Sequence, residues 1–165
     1  MATEAEMREH RVCFTGHRPE KLTQPEAMIK KGLEKEIQRA IADGYTTFIT
    51  GMARGVDIWA GQIVLRERTK NPNIHLICAV PHPDFEKGWK EEWQREYRCL
   101  LDSADSVHVI SDRYTGPGVY MVRNKWMVDH SSRVIAVFNG EKGGTKNTVD
   151  YALKQNVDII DLYNQ

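Results

Sequence analysis

The chain has 165 residues, 41% of them hydrophobic, and 23 Lys plus Arg balance 23 Asp plus Glu to zero net charge. That length buries roughly two-thirds of the unfolded surface in one domain, and the charge balance makes binding of nucleic acid by phosphate neutralisation unlikely. Cys13, Cys78 and Cys99 lack CxxC spacing and two lie in apolar strand-like runs, so buried thiols are expected in place of a disulfide framework or zinc site.

Residues 1–10 are polar and read as a flexible tail ahead of one domain at 11–165. They lack a signal peptide's apolar core, and no run approaches the roughly 20 apolar residues of a membrane helix. A cytoplasmic protein with no membrane partner is expected. The first strand is predicted at 11–15 (RVCFT), closed by Gly16-His17-Arg18-Pro19. A helix follows over 25–43, with Pro25 near its start, Leu33, Ile37, Ala40 and Ile41 on its apolar face, and Gly44 past its end.

The next stretch organises the rest. Residues 46–50 (TTFIT) have the character of a buried parallel strand, Gly51 breaks it, and Met52-Ala53-Arg54-Gly55 connects it to a helix. Val56, Trp59, Ala60, Ile63 and Val64 mark that helix to about residue 68. Strand, glycine-flanked turn and helix form half of a nucleotide-binding βαβ unit. Its glycines let the backbone approach a ligand, and the helix's unpaired N–H groups point towards it.

A third strand at 74–80 (IHLICAV) is apolar throughout, as suits a strand covered on both faces. Asp84 is the predicted N-cap of a helix to about residue 102, with Phe85, Trp89, Trp93, Tyr97, Leu100 and Leu101 along one face. Strand four, 106–110 (SVHVI), leads through SDRYTGPG to a helix over 119–131. Strand five (133–138), a glycine-rich turn (139–144), a helix over 146–155 capped by Thr145 and a last strand (157–162) complete the chain. This alternation predicts an α/β fold: a Rossmann-like, doubly wound, mainly parallel sheet of order 3-2-1-4-5 with strand six at an edge and helices on both faces.

In such a sheet, ligands bind beyond the carboxyl ends of the strands, where the order reverses. The loops after strands one, two, four and five nominate Thr15, Gly16, His17 and Arg18; Gly51, Ala53, Arg54, Gly55 and Asp57; Tyr114, Arg123 and Asn124; and Gly143, Gly144 and Thr145. The first turn, TGHRPEKL, lacks GxGxxG, and GxxxxGK[ST], GxSxG, HExxH and the kinase set are also missing. NAD domains, P-loop NTPases, hydrolases, zincins and kinases are therefore disfavoured. Neither a cofactor nor a metal is expected.

Gly143-Gly144-Thr145 ahead of a helix suits phosphate, through flexible amides, a hydroxyl and the helix's positive end; it equally suits a hinge with a capping threonine. Arg18 and Arg54 can each grip phosphate bidentately, or stand as solvated charges. Phosphate would repel Asp57, which therefore faces ribose hydroxyls or a reacting sugar, or else pairs with its own helix dipole. Arg123 and Asn124 face the crevice or an exposed helix side. Tyr114 stacks on a base or packs over loop glycines, and His17 is a phosphate donor, an acid–base group or polar filler. His82 lies farther from the reversal and is left out. Trp89, Trp93 and Tyr97 read as core or subunit contacts in preference to a base-stacking platform.

In order along the chain, TGHRPEKL, FITGMARGVDIWAGQ, AVPHPDFEKGW, the run from Tyr114 through Arg123-Asn124 to Asp129, and GGTKNTVDYA resemble the YpsA branch of the SLOG superfamily. That superfamily also includes the DprA DNA-processing proteins and the Lonely Guy phosphoribohydrolases. The resemblance covers about residues 11–163. It implies a Rossmann-like fold that binds a nucleotide-derived small molecule, often ADP-ribose-like, at these loops, and a homo-oligomer, dimer or higher. Superfamily members divide between enzymes that cleave N-glycosidic bonds and non-enzymatic sensors of nucleotide signals in bacterial and phage conflict.

One departure bears on mechanism. The phosphoribohydrolases carry glutamate three residues after the threonine of their Gly-Gly-x-Gly-Thr loop, and the matching position here is Thr148. Asp57 is left as the one well-placed acid. The expectation is a binder that senses or sequesters an ADP-ribose-type or cyclic-nucleotide signal. The alternatives are an N-glycoside hydrolase or transferase using Asp57, and a DprA-like nucleic-acid-processing partner, which zero net charge disfavours.

Overall fold

Alternation within the strands decides which helices each one faces. The computed structural model describes residues 1–164 and contains six parallel strands: β1 (Arg11–Gly16), β2 (Thr47–Thr50), β3 (His75–Val80), β4 (Ser106–Val109), β5 (Arg133–Val137) and β6 (Asp158–Asp161). The helices are α1 (Glu4–Arg8), α2 (Glu26–Ala42), α3 (Val56–Lys70), α4 (Glu91–Ser103), α5 (Gly118–Asp129) and α6 (Gly144–Lys154). Val12, Phe14, Phe48, Leu76, Cys78, Ile135 and Val137 turn to one face and pack with residues of α2, α3 and α4, among them Leu33, Ile37, Val64 and Leu100. Cys13, Ile49, Ala79, Val134 and Ala136 turn to the other, against Met127 and Val128 of α5 and Val149 and Ala152 of α6. Because both faces are covered, the middles of the inner strands are apolar on both sides, as in Val12-Cys13-Phe14, Phe48-Ile49 and Val134-Ile135-Ala136-Val137.

The sheet order is β4-β3-β2-β1-β5-β6. The doubly wound α/β class holds, but the predicted order does not. β4 lies at the outer edge beside β3, and β5 takes the place next to β1, with Gly16 opposite Val137. The side chains explain the exchange. An inner strand needs apolar groups on both faces, which RVIAV supplies, whereas Val107, His108 and Val109 are all exposed on β4. The reversal therefore falls between β1 and β5, and α5 carries the chain back to it, packing on β3 and α6.

Two further segments depart from expectation. The fourth helix begins at Glu91, not Asp84, because Asp84 (φ 62°) and Gly88 (φ 90°) have left-handed backbone that a helix cannot contain. The polar N-terminal segment forms α1, started by a Thr3/Glu6 capping box. Arg8 of α1 donates from Nε to the Ser131 carbonyl (2.9 Å) and from Nη2 to that of Val128 (3.3 Å), which satisfies acceptors at the end of α5.

The cysteines supply a direct check on the core. Cys13 and Cys78 are buried and burial pushes both thiols up to about 12, whereas Cys99 is exposed. A chromogenic disulfide reagent at pH 8 should titrate one thiol quickly in the native protein and three in denaturant. A second fast native thiol would contradict the packing described above.

Candidate functional site

The turn between β2 and α3 is tied down before any ligand enters. Thr50, fully buried, donates its hydroxyl to the Asp57 carbonyl (2.7 Å) and accepts from the Met52 amide (3.4 Å). Gly55 has φ 90°, and a Cβ there would stand 3.0 Å from the Pro19 ring. These ties direct Asp57 inward, where it is 5% exposed. Its Oδ2 accepts from the Ala53 amide (3.2 Å), and its buried Oδ1 has no hydrogen-bond partner among the described residues. Burial pushes the Asp57 carboxyl up to about 6, against the opposing pull of the Arg123 guanidinium.

Arg123 is buried as well. Nη1 donates to the Gly51 carbonyl (2.6 Å) and Nε to Asn124 Oδ1 (2.9 Å), while burial lowers its pKa and Asp57 opposes that shift. Gly51 lies between the two charged side chains: a Cβ there would be 3.0 Å from both Asp57 Oδ2 and Arg123 Cδ. Its lack of a side chain is what lets acid and base flank one backbone position.

At the end of β1, a Cβ on Gly16 would meet three Val56 side-chain atoms at 2.5, 2.6 and 2.8 Å, so β1 and α3 touch through a glycine. His17 is buried, and its Nε2 accepts from the Asn139 amide (3.3 Å), which leaves the proton on Nδ1. Burial lowers the His17 pKa and favours this neutral ring. Across the cavity, α6 follows the N-cap Gly143 (φ 146°), with no side-chain cap and no acid in its first turn. α3 instead carries Asp57 in its first turn. An anion is therefore better placed at α6, where amides, the Thr145 hydroxyl and the positive end of the dipole meet. Thr148, in the position that is glutamate in the phosphoribohydrolases, is fully buried and donates its hydroxyl back to the Gly144 carbonyl (2.8 Å).

One cavity of about 420 Å³ joins these parts, within the range of small-molecule sites. It brings together Thr15, Gly16, His17, Arg18, Ala53, Arg54, Asp57, Arg123, Asn124, Gly143, Gly144 and Thr145. Three nominated residues stand outside its lining. Gly51 is behind it, holding Arg123; Gly55 rests on Pro19; Tyr114 is half exposed, its ring 5.2 Å from that of His82. Tyr114 is displaced because β4, which leads into its loop, runs at the sheet edge. Arg54 pairs with Glu20 at 2.7 Å.

Phe14, Lys21, Phe85, Trp89, Tyr120 and Met127 also line the cavity, and none of them is nominated by the sequence. The signal for two of them was the pair of prolines and the glycine in PHPDFEKGW, which mark a loop where apolar spacing reads as helix. Among the described residues, no group of three or more His, Cys, Asp and Glu could hold a metal ion, and no helix is long and apolar enough to cross a membrane.

The chain is 28% identical to a UPF0398 protein of Bacillus thuringiensis (strain Al Hakam) over 137 residues, 82% of this chain and 74% of that protein. Its structure resembles that of DNA processing protein A from Streptococcus pneumoniae with a TM-score of 0.66 at 14% identity, over 94% of this chain and 50% of that one. It also resembles the molybdenum cofactor binding protein of Rippkaea orientalis, with a TM-score of 0.57 at 21% identity, over 94% of this chain and 77% of that one. This chain thus spans half the length of the DprA chain, and at such identities both likenesses are of fold. The family model described as the YspA SLOG family matches residues 12–162, so the chain belongs to the YpsA SLOG family.

Proposed function

We propose that the cavity binds an anionic, nucleotide-derived small molecule, ADP-ribose-like or a cyclic nucleotide, and that the protein senses or sequesters such a signal, in the setting of bacterial or phage conflict. The observation that carries this is the meeting, in one cavity, of the uncapped start of α6, the cations Arg18, Lys21 and Arg54, and the buried acid Asp57. Phosphate goes to Gly143, Gly144 and Thr145. Asp57 repels phosphate, so it takes sugar hydroxyls; it lines the cavity with a carboxylate that has one oxygen without a hydrogen-bond partner among the described residues. Glu20 holds Arg54 in the meantime, and a phosphate offers the same guanidinium an alternative bidentate partner.

Calorimetry against ADP-ribose and a set of cyclic nucleotides tests the reading. At least one should bind, and Asp57→Asn should weaken it about tenfold or more, the usual scale for a buried hydrogen bond to a charged group. Binding by none of them would contradict the proposal.

A second reading rests on the same carboxylate. An ionised acid against a ribose can stabilise the oxocarbenium-like transition state of N-glycoside cleavage. Assay of free base released from nucleoside monophosphates separates the two: an enzyme releases base and loses that activity in Asp57→Asn, while a pure binder releases none. Light scattering tests the homo-oligomer that belongs to the proposal, and a gel shift at graded salt tests for nucleic acid.

A further inference from the structure

Contacts across the cavity have a fixed order. Asn124 Nδ2 lies 3.9 Å from where a Cβ on Gly144 would stand, at the α6 end. Its neighbour Arg123 flanks Gly51 opposite Asp57, and the Arg123 guanidinium carbon is 5.6 Å from the Phe85 ring centroid. Phe85 in turn is 5.1 Å from Trp89. One end therefore has amides and no acid, the middle has the carboxylate, and the far end is aromatic.

The aromatic end is built by the segment that refuses to be helix. The left-handed residues Asp84 and Gly88 each precede one of these rings, and both rings line the cavity while remaining half-buried. Among the described residues neither ring has a parallel-stacked aromatic neighbour, although the Arg123 guanidinium stands over Phe85. Phe85 meets Trp89 at 72° and Tyr120 at 50°, and Trp89 meets Tyr97 at 88°. Edge and tilted contacts leave room for an incoming planar ring in the offset-stacked geometry that aromatic groups favour.

We infer that Phe85 and Trp89 receive the base of a nucleoside 5′-phosphate whose phosphate sits at the start of α6 and whose ribose faces Asp57. The inference rests on the proposed nucleotide site and deepens it: the moiety recognised is the nucleoside 5′-phosphate half of the ligand, not a sugar phosphate alone. Every nucleobase has a π-face, so the wall demands a ring without choosing one by hydrogen bonds. Trp89 is the residue that sets this preference.

The test uses the full chain with the 5′-monophosphates of adenosine, guanosine, cytidine and uridine, and with ribose 5-phosphate, in calorimetry. At least one monophosphate should bind about tenfold or more tightly than ribose 5-phosphate, as loss of one base–aromatic stack implies. Trp89→Ala should remove that advantage, while Trp89→Phe should keep most of it. The monophosphate should also change tryptophan emission in the wild type and do so much less in Trp89→Phe, a readout that stands even where Trp89→Ala fails to fold. Equal binding of ribose 5-phosphate and the monophosphates, or an undiminished preference in Trp89→Ala, overturns the inference. If ADP-ribose or a cyclic nucleotide binds and no monophosphate does, the inference falls and the proposed function stands; if nothing binds, both fall.

Discussion

Asp57→Asn is expected to make the protein more stable at pH 7.5 while it weakens ligand binding. The Asp57 carboxyl stands at about 6 in the fold against an ordinary 3.8. An acid raised in this way binds more protons folded than unfolded between those two values, so stability is highest below the lower one and falls as pH rises towards the upper. The difference corresponds to about 3 kcal/mol of stability absent at neutral pH. Asparagine keeps an oxygen for the Ala53 amide and carries no charge to bury. Most of that deficit should therefore return, at roughly 2–4 °C of Tm per kcal/mol for a chain of this size.

Urea denaturation of both proteins at pH 5 to 8 measures the effect. The gap between them should widen with pH and level off above about 7. Burial lowers the His17 pKa from its ordinary 6.5, and this works in the opposite sense, destabilising the fold as pH falls. The difference between variant and wild type, which share His17, therefore isolates Asp57. An Asp57→Asn protein less stable than the wild type at pH 7.5 would mean that the carboxylate is structurally satisfied and not held ready for a ligand. A residue that weakens its own fold and lines a cavity is the pattern expected of a functional group.

Gly16→Ala carries the second large effect, in the other direction. The added methyl would fall within 2.5 to 2.8 Å of three Val56 atoms, including its Cβ, so no rotamer change of Val56 relieves it. The start of α3 must move off β1. The expected loss is about 2–3 kcal/mol, the upper part of the range for overpacking a close-packed core. Because Val56 adjoins Asp57, ligand affinity should fall with stability. Val56→Ala alone should also destabilise, by leaving a gap. The double variant Gly16→Ala/Val56→Ala loses the contacts to Cγ2 and Cγ1 at 2.5 and 2.8 Å and keeps the one to Cβ at 2.6 Å, so it should recover part of the loss and be more stable than the sum of the two by about 1 kcal/mol, the signature of two residues in direct contact. Strict additivity in urea denaturation of the four proteins would show that β1 and α3 do not meet there.

The fold class was legible because alternating strand and helix patterns leave a parallel sheet few other arrangements, and parallel strands put all their carboxyl-end loops on one edge. That geometry brings Thr15 to Arg18, then Ala53, Arg54 and Asp57, and Gly143 to Thr145 together, whatever lies between them in the chain. The position of β4 was harder to read, although Ser106 and His108 are a poor match for a strand covered on both faces. The role of Gly51 was hidden for another reason: it depends on Arg123, 72 positions away, whose guanidinium its carbonyl holds. Phe85 and Trp89 share helical spacing with Trp93 and Tyr97, and that spacing outweighs the loop signal of PHPDFEKGW until the left-handed backbone at Asp84 and Gly88 shows that the first pair belongs to a turn. Periodicity describes faces; it does not reveal where a left-handed residue interrupts them.

The most direct test is a ¹H–¹⁵N chemical-shift titration with ADP-ribose, followed by cyclic nucleotides. A shared anion-binding cavity predicts that the amides of Gly16, Gly144 and Thr145 shift together and saturate at one ligand concentration, while Val107 and His108 on the outer strand stay still. Shifts that saturate separately, that avoid α6, or that never appear with any of these ligands would contradict it.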